Sequence, residues 1–270
     1  DGTKIICNTT SSIIEYHLIN NAWQLQNTYY FLGNNSIGNY RISDDFSTLI
    51  SNNIIYDIDS TSGNYIETIL PVSWGVLSFN ISSNGNIVAG STYGNSVPKE
   101  AKVFQKINNS WVQLGADILP PSDILGNSPF GYRGALSKDG LKYAAPYNNN
   151  EKVIIYSFSG NEWIGAESVD FPNFNTLTLW QIQFNTDGDY LAGMYDIQNG
   201  TNYQLNFSIR KFNNVSWNIH NSSFNNSTTH GTYGYGGSYG DNIFMLESGT
   251  LVYFESRLSG QAVLKIKKLF

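Results

Sequence analysis

The clearest chemical feature of this sequence is a set of ten Asn-x-Ser/Thr sequons, in which the asparagine side chain can be modified. The sequon is the acceptor for N-linked glycans and requires an exposed backbone. Six sequons lie in or close to predicted turns at the rim of the fold: Asn34, Asn108, Asn214, Asn221, Asn225 and Asn226. Asn8 and Asn199 are further candidates, whereas Asn80 and Asn206 fall inside predicted strands and are poorer acceptors. The sequence predicts covalent N-glycans, with a general Asn bias of an AT-rich genome as the alternative explanation.

Repeated tyrosines form a second candidate site. Tyr93, Tyr147 and Tyr195 follow three predicted turns at nearly equal distances, in loops that would lie on one face of the molecule. Aromatic rings beside Asn148, Asn149 and Asp196 could stack on sugar rings. The competing interpretation is that these rings pack the ends of neighbouring repeats.

Catalytic motifs are scarce. The three histidines, His17, His220 and His230, have no metal-ligand spacing. The sequence contains no nucleophile elbow, no His-Glu-x-x-His and no phosphate-binding glycine loop. Acidic pairs such as Asp44-Asp45 are common on acidic surfaces. We therefore expect no enzyme activity, no metal and no cofactor other than the glycans.

A repeat of about 40 to 55 residues organises the whole chain. Each copy has a tight turn of the Asp-Gly type, which favours a two-residue hairpin, and most copies follow it 20 to 30 residues later with a polar turn and a tryptophan or tyrosine. The tight turns are Asp1-Gly2, Asp45-Phe46, Asn84-Gly85, Asp139-Gly140, Asp187-Gly188 and a degraded Gly240-Asp241. Short β-branched and aromatic runs around them give four strands per copy.

These features predict an all-β fold, a six-bladed β-propeller of four-stranded antiparallel blades in a single domain spanning residues 1–270. The approximate blade boundaries are residues 1–34, 35–72, 73–120, 121–172, 173–228 and 229–270. Small residues in the second strands suit the crowded axis of such a ring, and the repeated tryptophans suit the wider gaps between blades.

One stretch carries a family resemblance. Ser82-Ser83-Asn84-Gly85-Asn86-Ile87-Val88-Ala89, followed by Val103-Phe104 and Trp111-Val112-Gln113-Leu114-Gly115, resembles the repeat of secreted bacterial, algal and giant-virus propellers. More distantly, the blades are similar to WD-repeat and FG-GAP blades. The resemblance implies the fold and leaves the function open, because propellers include enzymes, lectins and scaffolds. Asn185-Thr186-Asp187-Gly188-Asp189 departs from the FG-GAP calcium pattern, so no calcium site is carried over.

The first repeat is incomplete within this chain. Residue 1 already lies in the hairpin turn, so the innermost strand of blade 1 is missing. An empty inner position would leave backbone hydrogen-bonding groups without partners. Residues upstream of Asp1, a segment beyond Phe270, or a strand donated by a neighbouring molecule would fill it.

The amino-acid composition limits the locations and binding partners that we expect for the protein. Charged residues make up 13% of the chain and the net charge is −6, which argues against nucleic-acid or anionic-membrane partners. No apolar run is long enough to span a bilayer. We expect an extracellular protein, or one on a cell or virion surface, that forms a homo-oligomer or a filament by strand complementation. The alternatives are a carbohydrate-binding propeller and an intracellular interaction scaffold.

Overall fold

A computed structural model describes the ranges 4–8, 12–30, 40–51, 53–59, 62, 64–92, 99–124, 128–147, 152–170, 178–199, 202–230, 243–245, 250–256 and 262–268. These residues form twenty-two β-strands and no helix. All strand pairs are antiparallel: they form four sheets of four strands and two sheets of three within the described ranges. The all-β prediction is confirmed.

The sheets follow one another along the chain, and each sheet is a meander. Sheet 1 contains β1 (Lys4–Asn8), β2 (Ser12–Ile19) and β3 (Ala22–Tyr30), and sheet 2 contains β4 (Arg41–Ile42), β5 (Thr48–Ser51), β6 (Ile54–Ile58) and β7 (Tyr65–Ile69). Sheet 3 contains β8 (Trp74–Ile81), β9 (Ile87–Thr92), β10 (Ala101–Ile107) and β11 (Ser110–Gln113). Every hydrogen-bonded neighbour in these sheets is also a neighbour in sequence.

The second half repeats this order. Sheet 4 contains β12 (Ala135–Leu136), β13 (Lys142–Tyr147), β14 (Lys152–Ser159) and β15 (Glu162–Asp170). Sheet 5 contains β16 (Thr178–Phe184), β17 (Tyr190–Asn199), β18 (Asn202–Phe212) and β19 (Trp217–His230), and sheet 6 contains β20 (Ile243–Met245), β21 (Thr250–Ser256) and β22 (Ala262–Lys268). β19 extends two residues past the predicted end of its repeat at residue 228.

The turn between the first and second strands of a sheet is held by its own side chains. In sheet 3 the hydroxyl of Ser82 donates to Asn84 Oδ1 at 2.9 Å and accepts from the backbone N–H of Ile87 at 2.9 Å. Gly85 adopts φ of 69°, a region that glycine enters without strain. The same bonds recur around Ser43–Thr48 and Ser137–Lys142. The side chains therefore specify these turns locally, as the repeat pattern predicted.

The hydrophobic core lies between the sheets. Ile13 and Tyr29 of sheet 1 pack with Leu49 and Tyr56 of sheet 2. Similar clusters join sheets 2 and 3, sheets 3 and 4, and sheets 4 and 5, and include Phe79, Tyr143 and Phe184 respectively. The first strands touch in succession: β4 contacts β8, β8 contacts β12, and β12 contacts β16. Sheets 2 to 5 are thus arranged face to face around their first strands.

Backbone hydrogen bonds also join neighbouring turns at one end of the sheets. The N–H of Asp44 in sheet 2 donates to the carbonyl of Ser83 at 2.9 Å, and the N–H of Ser83 donates to the carbonyl of Lys138 in sheet 4 at 2.8 Å. Lys138 also forms an ion pair with Asp44. These contacts fix the relative positions of the turns in sheets 2, 3 and 4.

Candidate functional site

A cleft of about 410 Å3 opens between sheets 2 and 3, at the end of the sheets that carries the joined turns. Sheet 2 forms one side through Ser47, Thr48, Asp57, Ile58, Asp59, Ser62, Asn64, Tyr65 and Ile66. Asn86 and Lys106 of sheet 3 form the other. The volume of the cleft falls within the range of small-molecule sites, about 300–1,000 Å3.

An ion pair between the two sheets forms the floor of this cleft. Lys106 Nζ lies 2.9 Å from Asp57 Oδ1, and the two side chains are 21% and 15% exposed. Thr48 Oγ1 also donates to Asp57 Oδ1, at 3.2 Å, and Trp111 Nε1 donates to Asp57 Oδ2 at 3.4 Å. Because several contacts surround the carboxylate and the ion pair holds the ammonium group, both charges are in place before any ligand arrives.

The turn between β6 and β7 supplies a second set of polar groups. Ser62 Oγ donates to Asp59 Oδ2 at 2.6 Å, and the backbone N–H of Asp59 donates to the carbonyl of Asn64 at 2.8 Å. Tyr65, partly buried, starts β7 and packs edge-on against Tyr56 with ring centroids 5.4 Å apart. Ser62, Asn64 and Asp59 therefore add hydroxyl, amide and carboxylate groups to the lining of the cleft.

This lining suits a neutral ligand that is rich in hydroxyl groups. An anion would face Asp57 and Asp59, and a cation would face Lys106. A hydroxyl group can donate to a carboxylate and accept from an ammonium or amide group, so it satisfies both kinds of side chain. Hydrogen bonds to charged groups are the stronger ones in such a site.

The sequence-based predictions missed the cleft. Asp57 lies near the end of β6 and Asp59 directly follows that strand, and both residues line the cleft. That pair of carboxylates is a detectable signal in the sequence. The partner Lys106 is not, because it is brought to Asp57 only by the packing of one sheet on the next.

Two of the three predicted ligand-binding tyrosines lie in the core. Tyr147 and Tyr195 are each 1% exposed. Tyr147 Oη lies 2.9 Å from Ser168 Oγ, and burial raises the pKa of Tyr195, partly offset by the nearby charge of Arg210. Tyr93 lies outside the described residues. Ligand stacking by these rings stays a prediction, and the structure shows two of them in the packing role that the sequence also allowed.

The predicted glycosylation sites occupy several environments. Asn108 and Asn214 are exposed in turns with φ of 50° and 71°. Asn80 donates through Nδ2 to the carbonyl of Gly134 at 3.0 Å, which agrees with its lower rank as an acceptor. Asn34 lies outside the described residues, and the other predicted sites lie within strands: Asn8 in β1, Asn199 in β17, Asn206 in β18, and Asn221, Asn225 and Asn226 in β19.

The structure corrects the predicted position of the sequons at Asn221, Asn225 and Asn226. Asn221, Asn225 and Asn226 were expected at the rim next to the start of a short fourth strand. Instead β19 continues to His230 and pairs with β18, so that Asn225 opposes Asn206 and His230 opposes Tyr203. A long partner strand keeps this segment extended, and β19 is the outer strand of sheet 5.

A buried carboxylate cluster that no sequence motif indicates lies on the face of sheet 1 that packs against sheet 2. Glu15, 4% exposed, accepts hydrogen bonds from Tyr29 Oη at 2.7 Å and from Asn27 Nδ2 at 3.2 Å. His17 Nε2 lies 2.5 Å from Glu15 Oε1, and Lys4 Nζ lies 3.7 Å from the same oxygen. Glu15 and His17 are two residues apart in β2, and because side chains in a strand alternate between its two faces, both lie on the same face.

Burial and the hydrogen bonds of this cluster shift the pKa values of Glu15 and Tyr29. Burial alone would raise the pKa of Glu15, but the hydrogen bonds from His17, Tyr29 and Asn27 outweigh burial and lower the pKa below its usual 4.5. Burial, and then the hydrogen bond to Glu15, raise the pKa of Tyr29 to about 12. Glu15 is therefore an ionised carboxylate inside the protein at neutral pH.

This lowered pKa makes folding sensitive to acid. Because the folded state binds the Glu15 proton less tightly than the unfolded state, the carboxylate contributes stability above pH 4.5 and loses that contribution as pH falls below it. We expect Glu15→Gln to flatten the decrease in the free energy of unfolding in this acid range, as measured by urea titrations at several pH values. The exposed Glu162→Gln is the matched control and should keep the wild-type slope; equal slopes in all three proteins would contradict the assignment.

Two further features are absent from the described part of the chain. It contains no group of three or more His, Cys, Asp and Glu side chains placed to hold a metal ion. Within the same ranges, no helix has the length and apolar character needed to cross a membrane.

Comparison with known proteins identifies the fold. No family model and no curated protein matches the sequence. The Cps50 (Swd1) β-propeller domain of Myceliophteria thermophila matches with a TM-score of 0.61 and 9% identity over 100% of this chain and 80% of that one. The fold is that of a β-propeller. The periplasmic gluconolactonase PpgL of Pseudomonas aeruginosa matches this propeller with a TM-score of 0.56 and 12% identity, over 97% of this chain and 78% of that one.

A further match corrects one prediction. A candidate 6-phosphogluconolactonase of Bacteroides fragilis has a TM-score of 0.53 and 11% identity, over 99% of this chain and 82% of that one. The prediction that the chain is not an enzyme is wrong, because solved structures that share its fold carry the names of lactonases. A lack of short catalytic motifs therefore does not exclude activity in this fold. At these identities the likeness establishes the fold alone.

Proposed function

We propose that this protein is a carbohydrate-binding propeller whose ligand occupies the cleft between sheets 2 and 3. The observation that carries the proposal is the fixed Asp57–Lys106 pair on the floor of a 410 Å3 cleft with further hydroxyl, amide and carboxylate groups around it. Such a lining matches the alternating donor and acceptor character of a sugar. The rest of the propeller holds the two sides of the cleft in register.

A glycan array tests this proposal across many candidate ligands at once. The folded protein, labelled at its amino groups under conditions that spare Lys106, should bind a subset of neutral oligosaccharides. A doubly substituted Asp57→Asn, Lys106→Gln protein should lose the same signals. Absence of binding to every glycan, or binding that the double variant retains, would contradict the proposal.

We further propose that the six sheets close into a six-bladed ring, with sheet 6 packed on sheet 1. Trp217 is buried in the cluster between sheets 4 and 5, and Trp163 Nε1 donates to the carbonyl of Leu114 in sheet 3 at 2.8 Å. The equivalent Trp23 of sheet 1 is 44% exposed, next to the exposed Leu18 and Leu25. In a closed ring, sheet 6 would pack against this apolar face of sheet 1. On its other side, sheet 6 contacts sheet 5 through β20 and β16.

N-glycans at exposed turns would agree with the proposed extracellular or surface location. Asn108 and Asn214 are both exposed, and neither side chain has a hydrogen-bond partner among the described residues. We expect Asn108→Gln and Asn214→Gln each to reduce the intact mass of the protein secreted from eukaryotic cells by one glycan. Asn80→Gln, at a partly buried side chain, should leave the mass difference on deglycosylation unchanged. Full occupancy at Asn80 with none at the two turns would contradict this.

Assembly by strand complementation is the second proposed function, and the edge of β1 favours it. Within the described ranges no strand pairs with the side of β1 that faces away from β2, whereas β4, β8, β12 and β16 take that position in sheets 2 to 5. An unpaired edge is a template for an added strand. We expect the mass from light scattering to rise with concentration and to fall again when a peptide with the β8 sequence is added. A constant monomer mass would contradict assembly through this edge.

A further inference from the structure

The buried carboxylate cluster of sheet 1 occupies the position that the floor of the cleft occupies in sheet 2. Lys4 pairs with His17 across β1 and β2, and Thr48 pairs with Asp57 across β5 and β6 in the corresponding register. Each pair lies at the end of the sheets that carries the joined turns. The gap between sheets 1 and 2 is thus the counterpart of the cleft between sheets 2 and 3, with different chemical groups.

His17 and Lys4 are the partly exposed members of this cluster, and His17 is the one that can accept a proton when neutral. Its side chain is 31% exposed, whereas that of Glu15 is 5% exposed. An ionised carboxylate only accepts hydrogen bonds, so at 2.5 Å from Glu15 the Nε2 of His17 carries the proton. In the neutral ring the lone pair then lies on Nδ1, which bonds none of the described residues. A histidine oriented in this way by a buried carboxylate is the arrangement of a general base.

We propose that His17 is the proton acceptor of a hydrolytic site for small neutral carboxylic esters, with Glu15 as its positioning residue. This activity is separate from glycan binding in the cleft. The ammonium group of Lys4, 36% exposed and cross-strand from His17, supplies a positive charge beside the imidazole. Lys4 Nζ also lies over the Phe46 ring of the neighbouring turn, 5.1 Å from its centre, and this contact helps to hold the ammonium group at the site.

The reaction requires only water and the ester. Nδ1 of His17 takes a proton from water as the water oxygen bonds to the carbonyl carbon, and the carbonyl electron pair moves to the oxygen to form an oxyanion near Lys4. The oxyanion then re-forms the carbonyl and the carbon–oxygen bond to the alcohol breaks. The departing alkoxide takes the proton from Nδ1, so the products are the acid and the alcohol, and the histidine is neutral again.

Hydrolysis of p-nitrophenyl acetate tests this proposal. We expect His17→Ala to reduce kcat/KM by about 100-fold or more, the usual contribution of a general base. Added imidazole should restore part of the rate in His17→Ala and should not accelerate the wild type beyond the buffer reaction. The matched control is His220→Ala in β19 of sheet 5, which should retain the wild-type rate.

The role of Glu15 has its own readout. Glu15→Gln preserves the shape of the side chain and should lower kcat while leaving KM close to that of the wild type. If His17→Ala fails to fold, His17→Gln, checked by its thermal transition, replaces it in the same assay. A wild-type rate in the folded histidine variant, or a loss that imidazole does not restore in His17→Ala, would overturn the proposal.

Discussion

Replacing Asp57 by asparagine is expected to weaken glycan binding by about 10- to 100-fold, because a ligand hydroxyl loses a charged acceptor and a hydrogen bond to a charged group contributes roughly 1.5–3 kcal/mol. The substituted side chain would keep the volume of the original and one acceptor oxygen. The ion pair with Lys106 would be lost, so that the ammonium group would no longer be held in place on the floor of the cleft. Isothermal titration with the oligosaccharide selected on the array measures the effect.

A second ion pair of the same type provides the control. Lys102 Nζ lies 3.1 Å from Asp117 Oδ2 in sheet 3, and neither residue lines the cleft. Asp117→Asn removes a lysine–aspartate ion pair outside the cleft, where Lys102 keeps its contact with Glu100, and should leave the dissociation constant of the glycan unchanged. Equal losses in the two variants would show that the effect comes from general destabilisation, and an unchanged affinity in Asp57→Asn would place the ligand elsewhere.

The largest expected effect on stability is that of Gly90→Ala. A Cβ added at Gly90, in the second strand of sheet 3, would lie 2.4 Å from the Trp74 ring, which is only 7% exposed and cannot move away. Overpacking of this kind costs about 1–3 kcal/mol. Chemical denaturation should therefore show a lower midpoint with an unchanged m-value.

A glycine in an open turn serves as the control for this variant. Gly160 has φ of 69° and no atom within 4 Å of an added Cβ. Asn20 and Asn108 hold the corresponding turn position in sheets 1 and 3 with φ of 52° and 50°. Gly160→Asn should change the free energy of unfolding by no more than about 0.5 kcal/mol. A larger loss here than in Gly90→Ala would contradict the packing explanation.

The local parts of the fold could be predicted from the sequence because they depend on neighbouring residues. Asn84-Gly85 predicts a hairpin, and the structure forms it with Gly85 at positive φ. The Asp45-Phe46 turn forms without glycine, because Asp45 Oδ1 accepts a hydrogen bond from the backbone N–H of Ser47 at 3.0 Å and stabilises the turn. The four strands of each complete sheet follow from apolar and aromatic runs between such turns.

The candidate sites could not be predicted in the same way, because they depend on how one sheet packs on the next. Trp111 donates to Asp57, 54 residues away in sequence, and only the packing of sheet 3 on sheet 2 brings them together. The same kind of packing buries Tyr147, whose place after a turn was also consistent with an exposed ring. Contacts within one sheet are easier to predict. Once β2 is recognised as a strand, the two-residue spacing of Glu15 and His17 predicts that they share a face.

Hydrogen–deuterium exchange in the presence of the selected glycan tests the location of the binding site most directly. We expect slower exchange of the backbone amides of residues 57–59, 62, 64–66 and 86, which line the cleft, with no change in β13 to β18 of sheets 4 and 5. Slower exchange confined to sheets 4 and 5, with the residues of the cleft unaffected by the bound glycan, would contradict it.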